Sequence, residues 1–255
     1  MNYLTKIVAI VPVVTLLFGC DDYSDRTLAP PLDAKWVNVA FRVPEGITLL
    51  PMEVLYRSER CKTVRYNSSN EPHDIPGYND FEQPFVQLEG SDIRQLRVAV
   101  DGGGLCQWQL NSLMVSFKIA DNHPLVKGKK VIDTSYIFDF GDYGLSDGYG
   151  TGRAKEVSGD LNLKKDFFPM AIYHIDNTVD LSLFGGNTGY EQWRRRYKLS
   201  NTQSISIEPL VHFNKVVTLT PPAIRPGNLT ATYPDGRSEQ IPHIYPDYQR
   251  LLSLR

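Results

Sequence analysis

Cysteine is scarce in this chain, and so are the arrangements that would make it a metal ligand. There are three cysteines among 255 residues. None forms a C-x-x-C pair, and no histidine stands at ligand spacing from one, which excludes a zinc-finger-like site. The five histidines (His73, His123, His174, His212, His243) are scattered, and no H-E-x-x-H is present. Charge of one sign is also lacking. Lys and Arg number 27 against 29 Asp and Glu, a net charge of −2, so the basic excess of a dedicated nucleic-acid binder is missing. Internal repeats and low-complexity tracts are absent. Asp101-Gly102-Gly103-Gly104 lacks the spacing and the following helix of a dinucleotide site, and reads as a turn. No cofactor and no metal are expected.

What is present begins at the N-terminus. Lys6 precedes an apolar stretch, Ile7 to Phe18, of about a dozen residues, where a membrane-spanning helix needs about 20. A cation, a short apolar core and a small-residue exit make a secretory signal peptide. The exit, Leu17-Phe18-Gly19-Cys20, resembles the lipobox of bacterial lipoproteins, with Phe18 bulkier than the residue usual at its place. The resemblance implies cleavage before Cys20 and lipid on its thiol and new amine, and several acyl chains make such anchoring stable. Asp21 and Asp22 resemble the signal that retains enterobacterial lipoproteins in the inner membrane. The expected organisation is a signal peptide over 1–19, a lipidated cysteine and extended, mobile tether over 20–34, and a periplasmic β-rich domain over 35–255. The chain is then held on the periplasmic face of a bacterial membrane, the inner one favoured over the outer.

With Cys20 lipidated, Cys61 and Cys106 remain as an even pair in an oxidising compartment. A disulfide is the expectation, with two buried thiols as the alternative. It would close a loop of about 45 residues, for about 3–4 kcal/mol by loop entropy.

Beyond the tether the pattern is strand-like. Val37, Val39, Phe41 and Val43 alternate on one face. Further strands are expected at 52–58, 62–66, 84–88, 93–100, 131–140 and 170–184. A strand pair over 205–220 is expected to split at Glu208-Pro209. Thr230 to Ile241 reads as a hairpin turning at Pro234-Asp235-Gly236. Long polar loops are expected over 67–80 and 141–165. In the run 106–120, Cys106, Trp108 and Leu110 share one parity while Leu113, Val115, Phe117 and Ile119 share the other. One inserted residue near Asn111-Ser112 puts all seven on the core side, so a β-bulge is predicted there. The only helical candidates are 191–199 and 248–254. The fold class is all-β: sandwich-like antiparallel sheets with long loops and one or two short helices.

Three constellations could carry function. Asp139, Asp142 and Asp147 lie among glycines and offer oxygen ligands, but not at EF-hand spacing, and a solvated turn accounts for them better than calcium. Trp193-Arg194-Arg195-Arg196-Tyr197-Lys198 could grip an acidic partner or lipid headgroups, or be an exposed face. Among 14 tyrosines, Tyr78, Tyr143, Tyr149 and Tyr190 fall in glycine-containing loops, where tyrosine supplies rigid contact area, as in antibody paratopes. The alternative is simple capping of the sandwich.

The lipobox, one disulfide-bearing β domain (Tyr56-Arg57-Ser58-Glu59-Arg60-Cys61 with Gly104-Leu105-Cys106-Gln107-Trp108) and the tyrosine-rich loops together resemble the lipoprotein immunity proteins made beside type VI secretion phospholipase effectors. The resemblance is one of layout, carried by no single motif. It implies a non-enzymatic, membrane-anchored inhibitor of a secreted toxin or effector, with Tyr143, Tyr149, Tyr190, Trp193, Arg194, Arg195 and Arg196 as the partner-binding residues and loop 141–152 covering the toxin's cleft. An envelope assembly lipoprotein and a hydrolase with a dispersed site are the alternatives.

Overall fold

Val37, Val39 and Phe41 are fully buried, and the residues between them face outward or sideways. This two-residue alternation recurs along the chain and makes strands of it. The computed structural model describes residues 25–141, 154–186, 194–224 and 226–254. In chain order the strands are β1 (Trp36–Arg42), β2 (Ile47–Leu49), β3 (Met52–Tyr66), β4 (Pro72–Gln83), β5 (Val86–Gln87) and β6 (Ile93–Ala99). They continue as β7 (Asp101–Gly103), β8 (Trp108–Ile119), β9 (Lys130–Val131), β10 (Thr134–Asp139), β11 (Lys155–Ser158) and β12 (Leu161–Tyr173). The last are β13 (Val179–Phe184), β14 (Arg194–Ser200), β15 (Ser204–Val211), β16 (Val217–Thr220), β17 (Leu229–Thr232) and β18 (Ser238–Ile241), before helix α1 (Tyr248–Ser253).

Two sheets pack together. One runs β11-β14-β10-β8-β3-β4, with β2 and β7 also on β8. The other runs β18-β17-β16-β12-β15-β1-β6-β5, with β13 and β9 attached through β12. The main core lies between them and includes Phe41, Trp108, Phe117, Tyr136, Phe138, Phe167 and Ile205. Strand β12 serves two neighbourhoods. Its first half pairs with β15 as far as Phe167, and its second half pairs with β13 and β16 from Phe168 on. A smaller core, with Phe168, Met170, Leu219, Tyr233 and Leu251, sits under α1. Asp247 caps that helix by accepting from the Arg250 N–H.

The bulge expected in β8 is there. Leu55 of β3 faces Ser112 and Tyr56 faces Leu110, so Asn111 is the extra residue. Cys106, Trp108, Leu110, Leu113, Val115, Phe117 and Ile119 all lie in the core as a result. The disulfide joins Cys61 to Cys106, with Cα atoms 5.3 Å apart. The hairpin β17–β18 turns at Pro234-Asp235-Gly236, with Gly236 at φ 79°.

Other expectations need correction. The sheets are mixed rather than uniformly antiparallel: β1–β15, β12–β15, β12–β16, β9–β13, β10–β14 and β11–β14 are parallel pairs. The helix expected over 191–199 is strand β14 from Arg194 onward. Its good helix formers are overruled by pairing on both sides, with β10 and β11, and by an inward row of Arg195, Tyr197 and Leu199. The loop expected over 67–80 contracts to a turn between the long arms β3 and β4. The Asn67 side chain accepts from the Ser69 and Glu71 N–H groups, and Asn70 takes φ 60°. Strand β15 runs through Glu208-Pro209, and the break falls at the turn from His212 to Lys215. Part of the expected 141–165 loop is strand β11 and the start of β12.

Residues 25–30 of the expected tether are docked on the domain. Ala29 bridges to Gly103 and donates to the Gly102 carbonyl, Trp108 donates to the Asp25 carbonyl at 3.0 Å, and Asn79 donates to the Arg26 carbonyl at 2.8 Å. Cys20, Asp21 and Asp22 lie outside the described residues.

Candidate functional site

A cleft of about 510 Å³ opens between the two sheets. On one side it is lined by Tyr136 of β10, Lys155 of β11 and Arg195–Tyr197 of β14, and on the other by Asn162–Lys165 of β12, with Gly185 at its end. Leu161 and Leu163 point their side chains toward the core. Strand parity puts Lys165 on the same side, a place where an apolar residue would ordinarily sit. Arg195 is on the equivalent inward row of β14, and 4% exposed.

The guanidinium of Arg195 donates to the Gly185 carbonyl and, at 3.1 Å, to the Gly186 carbonyl, and its carbon lies 5.1 Å from the centre of the Phe167 ring. Gly185 is needed for this, because a Cβ there would lie 2.6 Å from both the Arg195 Nη2 and the Phe167 ring. The Lys165 ammonium stands 4.2 Å over the Tyr248 ring. Burial, and then the neighbouring Arg195, hold its pKa below the ordinary lysine value. Burial pushes the Tyr136 hydroxyl well above the tyrosine range, against the pull of Arg195. That hydroxyl is buried without a hydrogen-bond partner among the described residues. Burial and Asp166 push Tyr248 up to about 12.

Strand geometry divides the expected basic cluster. Arg195 faces the other sheet. Arg196 faces the opposite way and forms a buried ion pair with Asp139, Nε to Oδ2 2.5 Å. Lys198 donates to the Gly141 carbonyl. Arg194 pairs through its backbone with Ser135. Tyr143, Tyr149, Tyr190 and Trp193, with Asp142 and Asp147, lie outside the described residues. Tyr78, expected in a loop, sits on β4, with the guanidinium carbons of Arg26, Arg57 and Arg65 each about 6 Å from its ring centre. This basic, aromatic patch adjoins the docked segment 25–30.

Two histidines pair with aspartates: His212 Nε2 with Asp166 at 2.7 Å and His174 Nε2 with Asp180 at 3.0 Å. Neither pair has a serine or threonine hydroxyl bonded to it among the described residues. Sequence reasoning passed over one pattern that bears on them. Gly144-Leu145-Ser146-Asp147-Gly148 has the G-x-S-x-G spacing of a nucleophile elbow. It lies outside the described residues, and the first described element after it is strand β11, where that elbow's chemistry asks for a helix. Sequence reasoning also missed Tyr136 and Lys165. The available signal was a lysine at an inward parity position of an otherwise apolar alternation.

No known protein family, curated protein or solved structure matches the chain. Among the described residues no group of three or more potential ligands could hold a metal ion, and no helix is long and apolar enough to cross a membrane.

Proposed function

We propose that this chain is a membrane-anchored periplasmic lipoprotein that works by binding a protein, as an inhibitor of a secreted toxin or phospholipase effector. The observation that carries the reading is the docking of residues 25–30 on β7, β8 and β4, so close behind the lipobox cysteine. Between Cys20 and Asp25 an extended chain spans roughly 17 Å. A lipid on Cys20 therefore holds a rigid β body against the bilayer surface, where a membrane-attacking enzyme works, and raises the inhibitor's local concentration there. The Tyr78–arginine patch at the same end is built of the side chains enriched at binding hot spots. The test is a pull-down from the native bacterium using tagged protein with Cys20 intact. One stoichiometric secreted effector or lipase is the expected product. Multi-component envelope machinery would replace the reading with an assembly role.

A second reading, a hydrolase, is favoured by one observation. Ser146 in its G-x-S-x-G setting, Asp166 and His212 follow the serine–acid–histidine chain order of α/β-hydrolases, and the last two are bonded. Labelling of the purified protein by a fluorophosphonate, lost in Ser146→Ala, would support it. No labelling, together with an effector in the pull-down, leaves the inhibitor reading.

A further inference from the structure

The cleft between the sheets has an electrostatic composition that a mere packing defect does not explain. Five cationic residues border it, Lys155, Lys164, Lys165, Arg195 and Arg196, and among the described residues no carboxylate does. Two of the five are neutralised elsewhere, Arg196 by Asp139 and Lys164 by Glu208. Lys155, Lys165 and Arg195 have no carboxylate partner among the described residues. Lys165 and Arg195 both stand at inward positions, where their like charges oppose each other. Asp166, next to Lys165, offsets part of this repulsion, but its carboxylate is bonded to His212. Like charges held together at partly desolvated positions cost free energy unless a counter-charge joins them. Independently of charge, the Tyr136 hydroxyl is a buried donor with no acceptor among the described residues. Such groups are rare in folded proteins, because leaving one unmade forfeits its hydration. Both anomalies have one remedy: an oxyanion entering the cleft would pair with two cations and accept the hydroxyl.

We propose that this cleft is a binding site for a phosphate group, borne by a small ester or by a lipid headgroup, held by Lys165, Arg195 and the Tyr136 hydroxyl with Lys155 at the mouth. Three cations without an ion-pair partner among the described residues suit the dianion of a phosphomonoester better than a single carboxylate. Arg195 is pre-set for the task, since its Nη2 is tied to the carbonyls of Gly185 and Gly186 and the rest of the planar fork stays fixed. The cleft is larger than phosphate itself, and its size falls within the range of small-molecule sites, leaving room for the group that carries the phosphate, over Leu163 and the Tyr197 ring. This site is separate from the protein-binding reading and stands or falls without it.

The test is calorimetry on the folded chain at constant ionic strength, with inorganic phosphate, glycerol 3-phosphate and acetate as probes. Saturable binding of both phosphates is expected, about tenfold or more tighter than acetate. Tyr136→Phe keeps the ring and should weaken phosphate several-fold while leaving Tm unchanged or raised, because it removes an unpartnered group. A hydroxyl with a purely structural role would lower Tm instead. Lys165→Met should weaken binding about tenfold or more. Vesicles containing phosphatidic acid separate the sources. Displacement of bound glycerol 3-phosphate by them assigns the site to a lipid headgroup, and no displacement assigns it to a soluble ester. The proposal is overturned if neither phosphate binds saturably, if acetate binds as well as phosphate, or if both variants bind phosphate as the parent does.

Discussion

Ser58→Ala tests whether the disulfide and the bulge around it form one unit. Cys61 lies in an irregular stretch of β3: Ser58 faces Gly77 and Lys62 faces Pro76, so three residues stand between two adjacent partners. Ser58 is 1% exposed and sits at the hub. Its hydroxyl donates to the Cys106 carbonyl at 2.5 Å and accepts from the N–H groups of Cys61 at 2.9 Å and Arg60 at 3.2 Å. Alanine strands the buried Cys106 carbonyl and the Cys61 N–H, each worth about 1–3 kcal/mol unsatisfied, so a loss of about 2–4 kcal/mol is expected. The cross-link over a sequence separation of 45 contributes about 4 kcal/mol by loop entropy. With Cys61 and Cys106 replaced by alanine, the bulge is free to relax and rehydrate those groups, so Ser58→Ala should then cost about 1–2 kcal/mol less. Urea unfolding of the four proteins of this double-mutant cycle measures the difference. Additivity within about 0.5 kcal/mol would refute the idea that hydroxyl, bulge and disulfide are coupled.

Other predictions concern the same end and the cleft. Gly77→Ala places a Cβ 1.8 Å from the Cys61 carbonyl oxygen, so it should shift the bulge and lower stability by about 2 kcal/mol or more, read as a drop in the urea midpoint. Trp108→Phe removes the hydrogen bond to Asp25; limited proteolysis should then cut within 25–34 faster, and an unchanged rate would mean that the other contacts suffice. Lys165→Met should raise Tm at pH 7. A lysine whose pKa falls on folding destabilises wherever both states are charged, and that cost fades as pH rises through the folded value toward the ordinary 10.5. The gain should therefore shrink in a melt at pH 10, and a gain independent of pH would contradict the cause given for the shift. Shortening the glycine-rich segment 141–152 should weaken the captured partner's affinity by more than about tenfold in a surface-binding assay, and unchanged affinity would remove that segment from the interface.

Local chemistry was legible before the fold was. The phase change between Leu110 and Leu113 announced the bulge at Asn111, because side-chain parity is strict in a strand. Pro234-Asp235-Gly236 announced its hairpin through backbone preferences within the turn itself. An even pair of cysteines pointed to Cys61–Cys106. Long-range pairing left no such trace. Nothing in 194–200 says that β10 and β11 flank it in parallel, so its helix-compatible residues pointed the wrong way, and its arginines read as one surface cluster although strand parity sends Arg195 and Arg196 to opposite faces. The cleft was hidden for the same reason: Tyr136, Lys165 and Arg195 lie on three strands far apart in sequence and meet only when the sheets pack. The polar arm of β4 resembled a loop because the end of its hairpin with β3 is exposed on both faces, which removes the alternation that marks a half-buried strand.

Titrating the protein recovered in the pull-down with purified domain, residues 25–255, tests the inhibitor account most directly, with the recovered protein's lipase or toxin activity as the readout. The account predicts that activity falls to zero at one equivalent of domain and returns when segment 141–152 is shortened. Activity that persists at saturating domain, or a recovered partner that has no activity to inhibit, would contradict it.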